Sequence, residues 1–142
     1  FGFVTALRHL IDEWSSFTET APEFQVVGVE VPLSTELTIT LYRLTQEALT
    51  NVAKHAGHVR LVSIVLRYSP KQINLTIDDD GSGFELDAVS TGGLAAKGKL
   101  GLIGMRERLA LVGGDLTLES GSGKGASIVA RVRLNGEQDK DV

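Results

Sequence analysis

The sequence predicts an α/β fold of two layers, a sandwich in which a mixed sheet of about five strands has about three helices on one face. Two patterns carry this prediction. Helical periodicity alternates with short β-rich runs that are bounded by glycine, proline and serine. One helical stripe is long, because apolar residues recur every three or four positions at Leu37, Leu41, Leu44, Ala48 and Val52. With 142 residues, of which 42% are hydrophobic, the chain suits one domain with its own core.

The individual elements follow from local patterns. In chain order, the predicted elements are a helix over 4–14, a strand over 24–31, a helix from Ser34 or Thr35 to 55–57, a strand over 59–68, a strand over 72–77, a mobile loop over 85–99, a helix over 100–112, and strands over 115–119 and 126–134. Residues 69–71 read as the turn of a hairpin. The polar end of the chain, residues 136–142, is predicted to be disordered.

Composition excludes several classes of function. The net charge of -4 gives no field that would attract nucleic acid or an anionic membrane. The chain has no cysteine, which excludes disulfides, zinc–thiolate sites and thiol nucleophiles. No signal peptide or long apolar segment is visible, so we expect a cytoplasmic location. The first residue is Phe1, which indicates a fragment of a longer protein, and a membrane anchor in that parent is compatible with this expectation.

The most unusual stretch is IDDDGSGF at residues 77–84, where three acids run into two glycines. A calcium loop beginning at Asp78 would need glutamate at its twelfth position, and that position is Val89. The flanking elements are also strands instead of helices, so the calcium interpretation fails. A turn that merely ends a strand is the structural alternative, and the stretch by itself leaves it open.

Two glycine-rich stretches resemble phosphate-binding loops only in part. Residues 93–99 match a GxxxxGK pattern, but Leu100 stands where a magnesium-binding hydroxyl is required. Residues 121–125 (GSGKG) lead into a strand instead of a helix, so no helix N-terminus would face a pyrophosphate. A glycine-rich hairpin is the simpler interpretation of the second stretch.

One face of the long helix carries polar side chains beside the apolar stripe. Glu47, Asn51 and Lys54 lie four and three residues apart and share that face. A solvated face is the usual explanation. The same set also suits a magnesium-bound polyphosphate, because an amide oxygen is a hard ligand, an ammonium group attracts phosphate and a carboxylate can act as a base.

Taken in order, four stretches resemble one family. They are QEALTNVAKHA at 46–56, DDGSGF at 79–84, GLIGMRER at 101–108 and GSGKG at 121–125. The series is similar to the ATP-binding catalytic domain of bacterial sensor histidine kinases, in the superfamily of gyrase, Hsp90, histidine kinases and MutL. The first and third stretches are most similar in sequence to the branch of the family that signals to response regulators with helix-turn-helix output domains. The resemblance covers about residues 33–134 and implies a Bergerat-type fold that binds ATP and Mg²⁺.

The resemblance also implies roles for residues of the long helix. Asn51 matches the magnesium ligand of the family's N box. Glu47 matches the acid that positions or activates the transferring group. Lys54 and His55 lie where family members approach the phosphates.

Further roles fall on the two glycine motifs. Asp79, with Gly81 and Gly83, matches the aspartate that accepts a hydrogen bond from the adenine amino group. Guanine would present a carbonyl there, opposing two acceptors. Residues 85–100 match the mobile ATP lid. The second glycine box, where a helix N-terminus would receive the triphosphate, matches Gly101, Leu102, Gly104 and Met105.

Two positions depart from the family pattern. Ala126 stands where relatives often carry a threonine that supports the adenine-binding aspartate. Asp80 stands where many relatives carry asparagine, which adds a negative charge near the nucleotide. Both departures leave a degenerate, partner-docking module open as an alternative.

The resemblance implies that the parent protein transfers the γ-phosphoryl group of ATP to a histidine on a dimerisation domain, and through it to a response regulator. We expect residues 1–17 to be the end of a dimerisation helix or a linker, residues 18–135 to be the ATP-binding catalytic domain, and this chain alone to show little autokinase activity. Gyrase-like or MutL-like machines and anti-sigma-factor serine kinases are the alternatives within the superfamily.

Overall fold

The computed structural model of the protein describes residues 2–55, 61–81, 94–120 and 125–134. Three helices and five strands lie in these ranges. They are α1 (Phe3–Phe17), β1 (Glu23–Val27), α2 (Thr35–His55), β2 (Val62–Ser69), β3 (Gln72–Asp79), α3 (Leu94–Leu111), β4 (Gly114–Ser120) and β5 (Ala126–Arg133). This confirms the predicted α/β class.

The five strands form one mixed sheet in the order β1-β2-β3-β5-β4. β1 pairs with β2 in parallel, whereas the other three pairs are antiparallel. Parallel strands need a long crossover, and α2 supplies it between β1 and β2. The predicted β2–β3 hairpin is confirmed, but Ser69 pairs with Gln72 as part of the strands, so the turn holds only Pro70 and Lys71.

One face of the sheet carries the core. Burial alternates along β2 and β3, which indicates that one face packs inward while the other meets solvent. The helices cover the buried face, and their inward side chains join those of the strands in a single cluster. The strand residues of this cluster are Val62, Ile64, Leu66, Tyr68, Ile73, Leu75, Ile77, Leu116, Ile128, Ala130 and Val132.

The long helix α2 begins as the sequence predicts. The Ser34 hydroxyl accepts a hydrogen bond from the Leu37 amide at 3.1 Å, which satisfies one of the unpaired donors of the first turn. All five apolar residues of the predicted stripe are buried. The stripe therefore faces the sheet and fixes the rotation of α2 about its axis.

Helix α1 packs into the same core. Leu7, Leu10 and Ile11 are buried, and the Trp14 indole N–H donates to the Leu49 carbonyl of α2 at 3.0 Å. The Arg8 guanidinium lies 5.0 Å from the ring centroid of Phe24, which ties α1 to β1. Packing thus joins α1 to the rest of the fold, and its relation to a dimerisation helix stays a prediction.

Two predicted boundaries differ from the structure by four residues or more. The strand predicted over 24–31 ends at Val27, because Gly28 has a left-handed backbone (φ 91°) and sits directly against the Tyr68 carbonyl. The loop predicted over 85–99 overlaps α3, which begins at Leu94 instead of residue 100. Residues 94–100 are mostly Leu, Ala and Lys, and these helix formers outweigh the single Gly98. Residues 85–93 lie outside the described ranges. Among the described helices, none is both long and apolar enough to cross a membrane.

Candidate functional site

Asp79 lies at the end of β3 on the face that the helices cover. Side chains alternate along a strand, and Ile73, Leu75 and Ile77 all point into the core. Asp79 is the next residue in that series, so its carboxylate points toward the helical layer. Asp78 points to the opposite, open face. The carboxylates of Asp78 and Asp79 therefore lie on opposite faces of the sheet.

The Asp79 carboxylate is held by backbone amides. It accepts a hydrogen bond from the Gly81 amide at 2.8 Å and another from the amide of Ala126, its cross-strand neighbour. Burial raises the pKa of Asp79, and the charges of Asp80 and Asp78 add to this rise, while the two amide bonds oppose it. The site thus holds a partly desolvated acceptor in one orientation.

Asp80 has a different role from its neighbour. Its side-chain oxygen accepts from the Leu61 amide at 2.9 Å, and its own amide donates to the Leu61 carbonyl at 3.1 Å. These two bonds continue the β2–β3 ladder one step past the last strand pair, Val62 with Asp79. Asp80 therefore fastens the turn after β3 to the segment that enters β2.

We expect substitutions at Asp80 to separate its charge from its hydrogen bond. Asp80→Asn keeps an oxygen for the Leu61 amide and removes a charge beside Asp79, so stability stays within about 0.5 kcal/mol and the pKa of Asp79 falls. Asp80→Ala loses the acceptor and costs about 1 kcal/mol. Urea unfolding and carboxyl NMR titration measure both effects. Equal destabilisation by the two variants would contradict the assigned bond.

Gly125 supports Asp79 from the neighbouring strand. Its backbone is left-handed (φ 78°), and a Cβ there would collide with the Asp79 carbonyl. The backbone of the acidic turn therefore rests directly on Gly125. Gly125, the last residue of GSGKG, therefore supports the acidic turn, a role that the sequence alone did not indicate.

We expect Gly125→Ala to lower the free energy of unfolding by about 3 kcal/mol or more, since it combines a disfavoured φ with a backbone clash. Gly104→Ala is the matched control. Gly104 lies inside α3, and an added Cβ there meets nothing within 4 Å. Alanine at 104 should therefore stabilise the fold by up to about 1 kcal/mol. Denaturant unfolding of both variants tests the contrast, and similar values for the two would contradict it.

Asn51 is a buried polar residue on α2, with 6% of its surface exposed. Successive helix residues are about 100° apart, which places Asn51 and Glu47 on one flank of the apolar stripe and Leu49 on the other. The Glu47 carboxylate lies against Gly101 of α3. Asn51 and Glu47 consequently lie on the flank toward α3, in agreement with the predicted shared face.

Chain connectivity places the end of α2 near Asp79. β1 and β2 are parallel, so the crossover through α2 runs back from the end of β1 to the start of β2, and α2 ends seven residues before Val62. Val62 is the cross-strand partner of Asp79. The C-terminal part of α2, which carries Asn51, thus lies at the same end of the sheet as the acidic turn.

Glu47 lies in the seam between α2 and α3. Its carboxylate sits directly against Gly101, where a Cβ would collide with it. Gly101, Met105 and Arg108 recur at helical spacing and face α2. Side chains of both helices, Arg43, Gln46, Glu47, Thr50, Met105 and Arg108, line a polar cavity of about 390 Å³ in this seam.

Other predicted site residues have mixed placements. Leu102 is fully buried in the core, and Met105 packs against it. Lys54 is exposed, and Gly81 is buried. Gly101 lies well inside α3, so the prediction that a helix N-terminus begins at the second glycine box is wrong: α3 begins at Leu94. Gly83 and the side chain of His55 lie outside the described residues.

The arginines of the seam, Arg43 and Arg108, were not predicted as functional. Arg43 lies four residues before Glu47, and Arg108 lies three after Met105. This spacing could have indicated them, because residues three and four apart share a helix face. The pairing of the two helices, which brings the arginines to one cavity, is a tertiary feature that the sequence does not contain.

Residues 36–136 match the family of histidine kinase-, DNA gyrase B- and HSP90-like ATPases. This chain belongs to that family. The match covers the acidic turn, the Asn51 face of α2 and the whole of α3. The members of this family are ATPases, so ATP is the nucleotide that this type of fold binds.

Curated relatives of this ATPase chain are sensor kinases. It is 29% identical to the sensor histidine kinase LiaS of Bacillus subtilis over 144 residues, which is 99% of this chain and 38% of the relative. It is 32% identical to the histidine-protein kinase/phosphatase DegS of the same organism, over 94% of this chain and 34% of the relative. The chain thus spans about a third of the length of these relatives.

Solved structures show the same fold. The blue-light activated histidine kinase of Erythrobacter litoralis EL346 superposes with a TM-score of 0.68 at 21% identity, over 93% of this chain and 45% of that one. The histidine kinase domain of the same protein superposes with a TM-score of 0.61 at 24% identity, over 91% of this chain and 61% of that one. The ATPase chain therefore has the architecture of a histidine kinase catalytic domain.

Proposed function

We propose that this ATPase domain binds Mg-ATP and supplies the γ-phosphoryl group for a two-component sensor kinase. The acceptor would be a histidine on a dimerisation domain, from which the group passes to a response regulator. The observation that carries the proposal is Asp79, a half-buried carboxylate that two backbone amides hold toward the helical layer. Residues 18–135 form the proposed catalytic domain, with residues 1–17 leading into it and 136–142 as a tail.

Asp79 suits adenine as its partner. A carboxylate is only an acceptor, and adenine offers an exocyclic amino donor where guanine has a carbonyl. The amide of Ala126 already holds this carboxylate, which supports binding although the expected threonine hydroxyl is absent. Gly81 and Gly83 complete the proposed adenine end of the site.

Asn51 suits the phosphate end. Among the described residues, no group of three His, Asp or Glu side chains is placed to hold a metal ion. Magnesium commonly binds through one or two protein oxygens together with the phosphates of a nucleotide. The buried amide oxygen of Asn51 fits that pattern. When bound, Mg²⁺ would neutralise charge on the phosphates.

Transfer itself requires positioning more than covalent chemistry. Glu47 lies one helical turn before Asn51, and Gly101 leaves space for its carboxylate in the seam. From there Glu47 would orient the acceptor imidazole and take up its proton. Lys54 and His55 follow Asn51 toward the end of α2 and would approach the phosphates. Gly101 and Gly104, which lack side chains, would let α3 approach the triphosphate closely, while Leu102 in the core and Met105 against it would hold α3 in position.

Calorimetric titration with Mg-ATP and with a non-hydrolysable analogue tests the binding half of the proposal. We expect both to bind, with a clear preference over GTP. Incubation of the full-length protein with radiolabelled ATP tests the transfer half, and we expect acid-labile, alkali-stable phosphate on histidine. Binding without any phosphohistidine would favour a degenerate docking module instead.

A further inference from the structure

A larger groove lies at the other end of α2 from Asn51. It has a volume of about 950 Å³ and runs between the start of α1, the segment before α2 and the first half of α2. A groove of this size with mainly apolar and aromatic walls is typical of sites that bind small molecules. The side chains in these walls include Phe3, Val31, Leu33, Ile39 and Tyr42.

Tyr68 brings a buried hydroxyl to the wall of this groove. Side chains alternate along β2, and Tyr68 follows Ile64 and Leu66 on the face that the helices cover, with 5% of its surface exposed. Within the described ranges, no protein group forms a hydrogen bond with the Tyr68 hydroxyl. A buried tyrosine hydroxyl normally has such a partner. The partner of this hydroxyl therefore has to come from the groove itself.

The carboxylate of Glu30 lies at the same end of the groove as Tyr68. Burial raises the pKa of Tyr68, and the negative charge of Glu30 adds to the rise, so the hydroxyl stays protonated and the two groups lie within electrostatic reach. Gly28 holds the segment that carries Glu30 beside β2, because its left-handed backbone (φ 91°) lies directly against the Tyr68 carbonyl. Glu30 is exposed, and the described part of the chain offers it no ion pair.

These two polar groups favour a cation. A carboxylate is only an acceptor, whereas a protonated amine offers three donors, enough for the Glu30 carboxylate and the Tyr68 oxygen together. Aromatic faces also attract cations, and Phe3 and Tyr42 lie in the same walls. Arg43, which has the opposite preference, lines both this groove and the cavity of the seam, so it lies at the end toward α3.

We propose that the groove binds a small molecule that joins an aromatic or apolar body to a protonated amine. The amine donates hydrogen bonds to the Glu30 carboxylate and to the Tyr68 oxygen. The body of the molecule lies against Leu33, Ile39 and Tyr42, where it covers apolar surface that is now open. Ile39 has the most to gain, since 49% of its surface is exposed.

This site is separate from the proposed nucleotide site. Val62 is the cross-strand partner of Asp79, and Tyr68 lies six residues further along β2, a distance of about 20 Å. The molecule in the groove is therefore a second ligand of the domain, and its binding does not require the proposed function.

Three matched compounds test the class of ligand. Naphthylmethylamine, naphthylmethanol and naphthoate share one aromatic body and carry a cation, a neutral hydroxyl and an anion, respectively. NMR titration of each compound into this chain measures the Kd. We expect the amine to bind at least about threefold more tightly than the alcohol, which is the size of effect of a partly exposed charge pair, and naphthoate to bind most weakly.

Two substitutions assign the polar groups. Glu30→Gln keeps the size of the side chain but removes its charge, so the amine should lose its advantage over the alcohol. Tyr68→Phe removes only the hydroxyl, and we expect it to weaken binding of the amine by about threefold or more. Glu107→Gln is the matched control, an exposed acid on α3 outside the groove, and it should keep the preference of the parent chain. Thermal melts check that each variant folds.

Methyl and amide signals locate the bound amine. We expect it to shift the methyl signals of Val31, Leu33 and Ile39, while the Gly81 and Ala126 amides at the acidic turn stay in place. Shifts confined to the acidic turn would overturn the proposal. Groove signals that do not move would also overturn it, because water alone would then fill the groove.

The affinities give two further ways to overturn the proposal. The first is tighter binding of naphthoate than of the amine, which would assign the ligand to the Arg43 end. The second is an unchanged affinity for the amine in Glu30→Gln or in Tyr68→Phe. None of these measurements involves nucleotide or phosphoryl transfer, so a failure of this site leaves the proposed function untouched, and a failure to bind ATP leaves this site untouched.

Discussion

Replacement of Asp79 by asparagine is expected to weaken ATP binding at least about 100-fold. One of the two acceptor oxygens becomes an NH2 group, and this donor would face the adenine amino group, which is also a donor. The same change should narrow the preference for ATP over GTP, since an amide can donate to the guanine carbonyl. Calorimetric titration of both nucleotides into the parent chain and the variant measures these effects.

The same variant should change how stability depends on pH. Burial raises the pKa of Asp79 above its value in the unfolded chain, so the ionised carboxylate opposes folding at neutral pH. For a raised carboxyl pKa, stability is greatest below the unfolded pKa and falls as the pH rises through the folded pKa. Asp79→Asn removes this pH dependence, and because its side-chain nitrogen cannot accept from a backbone amide, the ligand-free chain should lose no more than about 1 kcal/mol at pH 7. Thermal melts at several pH values measure it.

Asp78→Asn is the matched control. Asp78 precedes Asp79 but points to the open face of the sheet, opposite Ser127. We expect the ATP affinity of this variant to stay within about threefold of that of the parent chain, because the removed charge is screened and makes no contact with the nucleotide. Equal losses at positions 78 and 79 would mean that net charge, and not a directed contact, governs binding.

Asn51→Ala is expected to abolish the magnesium dependence of ATP binding. The variant loses the one buried amide oxygen on the α2 flank that faces the seam, so added Mg²⁺ should no longer strengthen binding. Nucleotide titrations with and without Mg²⁺ measure the difference between the two affinities. In the parent chain we expect Mg²⁺ to raise the affinity for ATP more than tenfold.

Asn51→Asp serves as the ligand-preserving control, because it keeps an oxygen for the metal. It should retain most of the magnesium dependence that the alanine variant loses. Both variants need a thermal melt, since Asn51 is buried and truncation can also loosen packing. A folded Asn51→Ala chain that keeps full magnesium dependence would remove Asn51 from the metal site.

Much of the fold was readable from periodicity. The buried stripe of α2 and the β2–β3 hairpin both lie where the patterns predicted, because burial on one face imposes spacings of 3.6 and 2 on the sequence. The start of α3 was not readable. Its first residues have good helix propensity but no apolar stripe, so the sequence shows no face that must be buried.

The candidate site was readable only in part. Asp79 stands out by its strand-ending motif, and alternation from Ile77 explains why it faces inward. The support from Gly125 and the arginines of the seam depends on which strands and helices become neighbours. Such neighbours are set by packing across the fold, and no local pattern records them.

The most direct measurement is a crystal structure of this chain with Mg²⁺ and a non-hydrolysable ATP analogue. We predict a structure in which the Asp79 carboxylate lies about 2.7–3.2 Å from the adenine amino nitrogen and the Asn51 amide oxygen lies about 2.1 Å from the metal. A nucleotide seated anywhere else, or one that touches only one of these two residues, would contradict it.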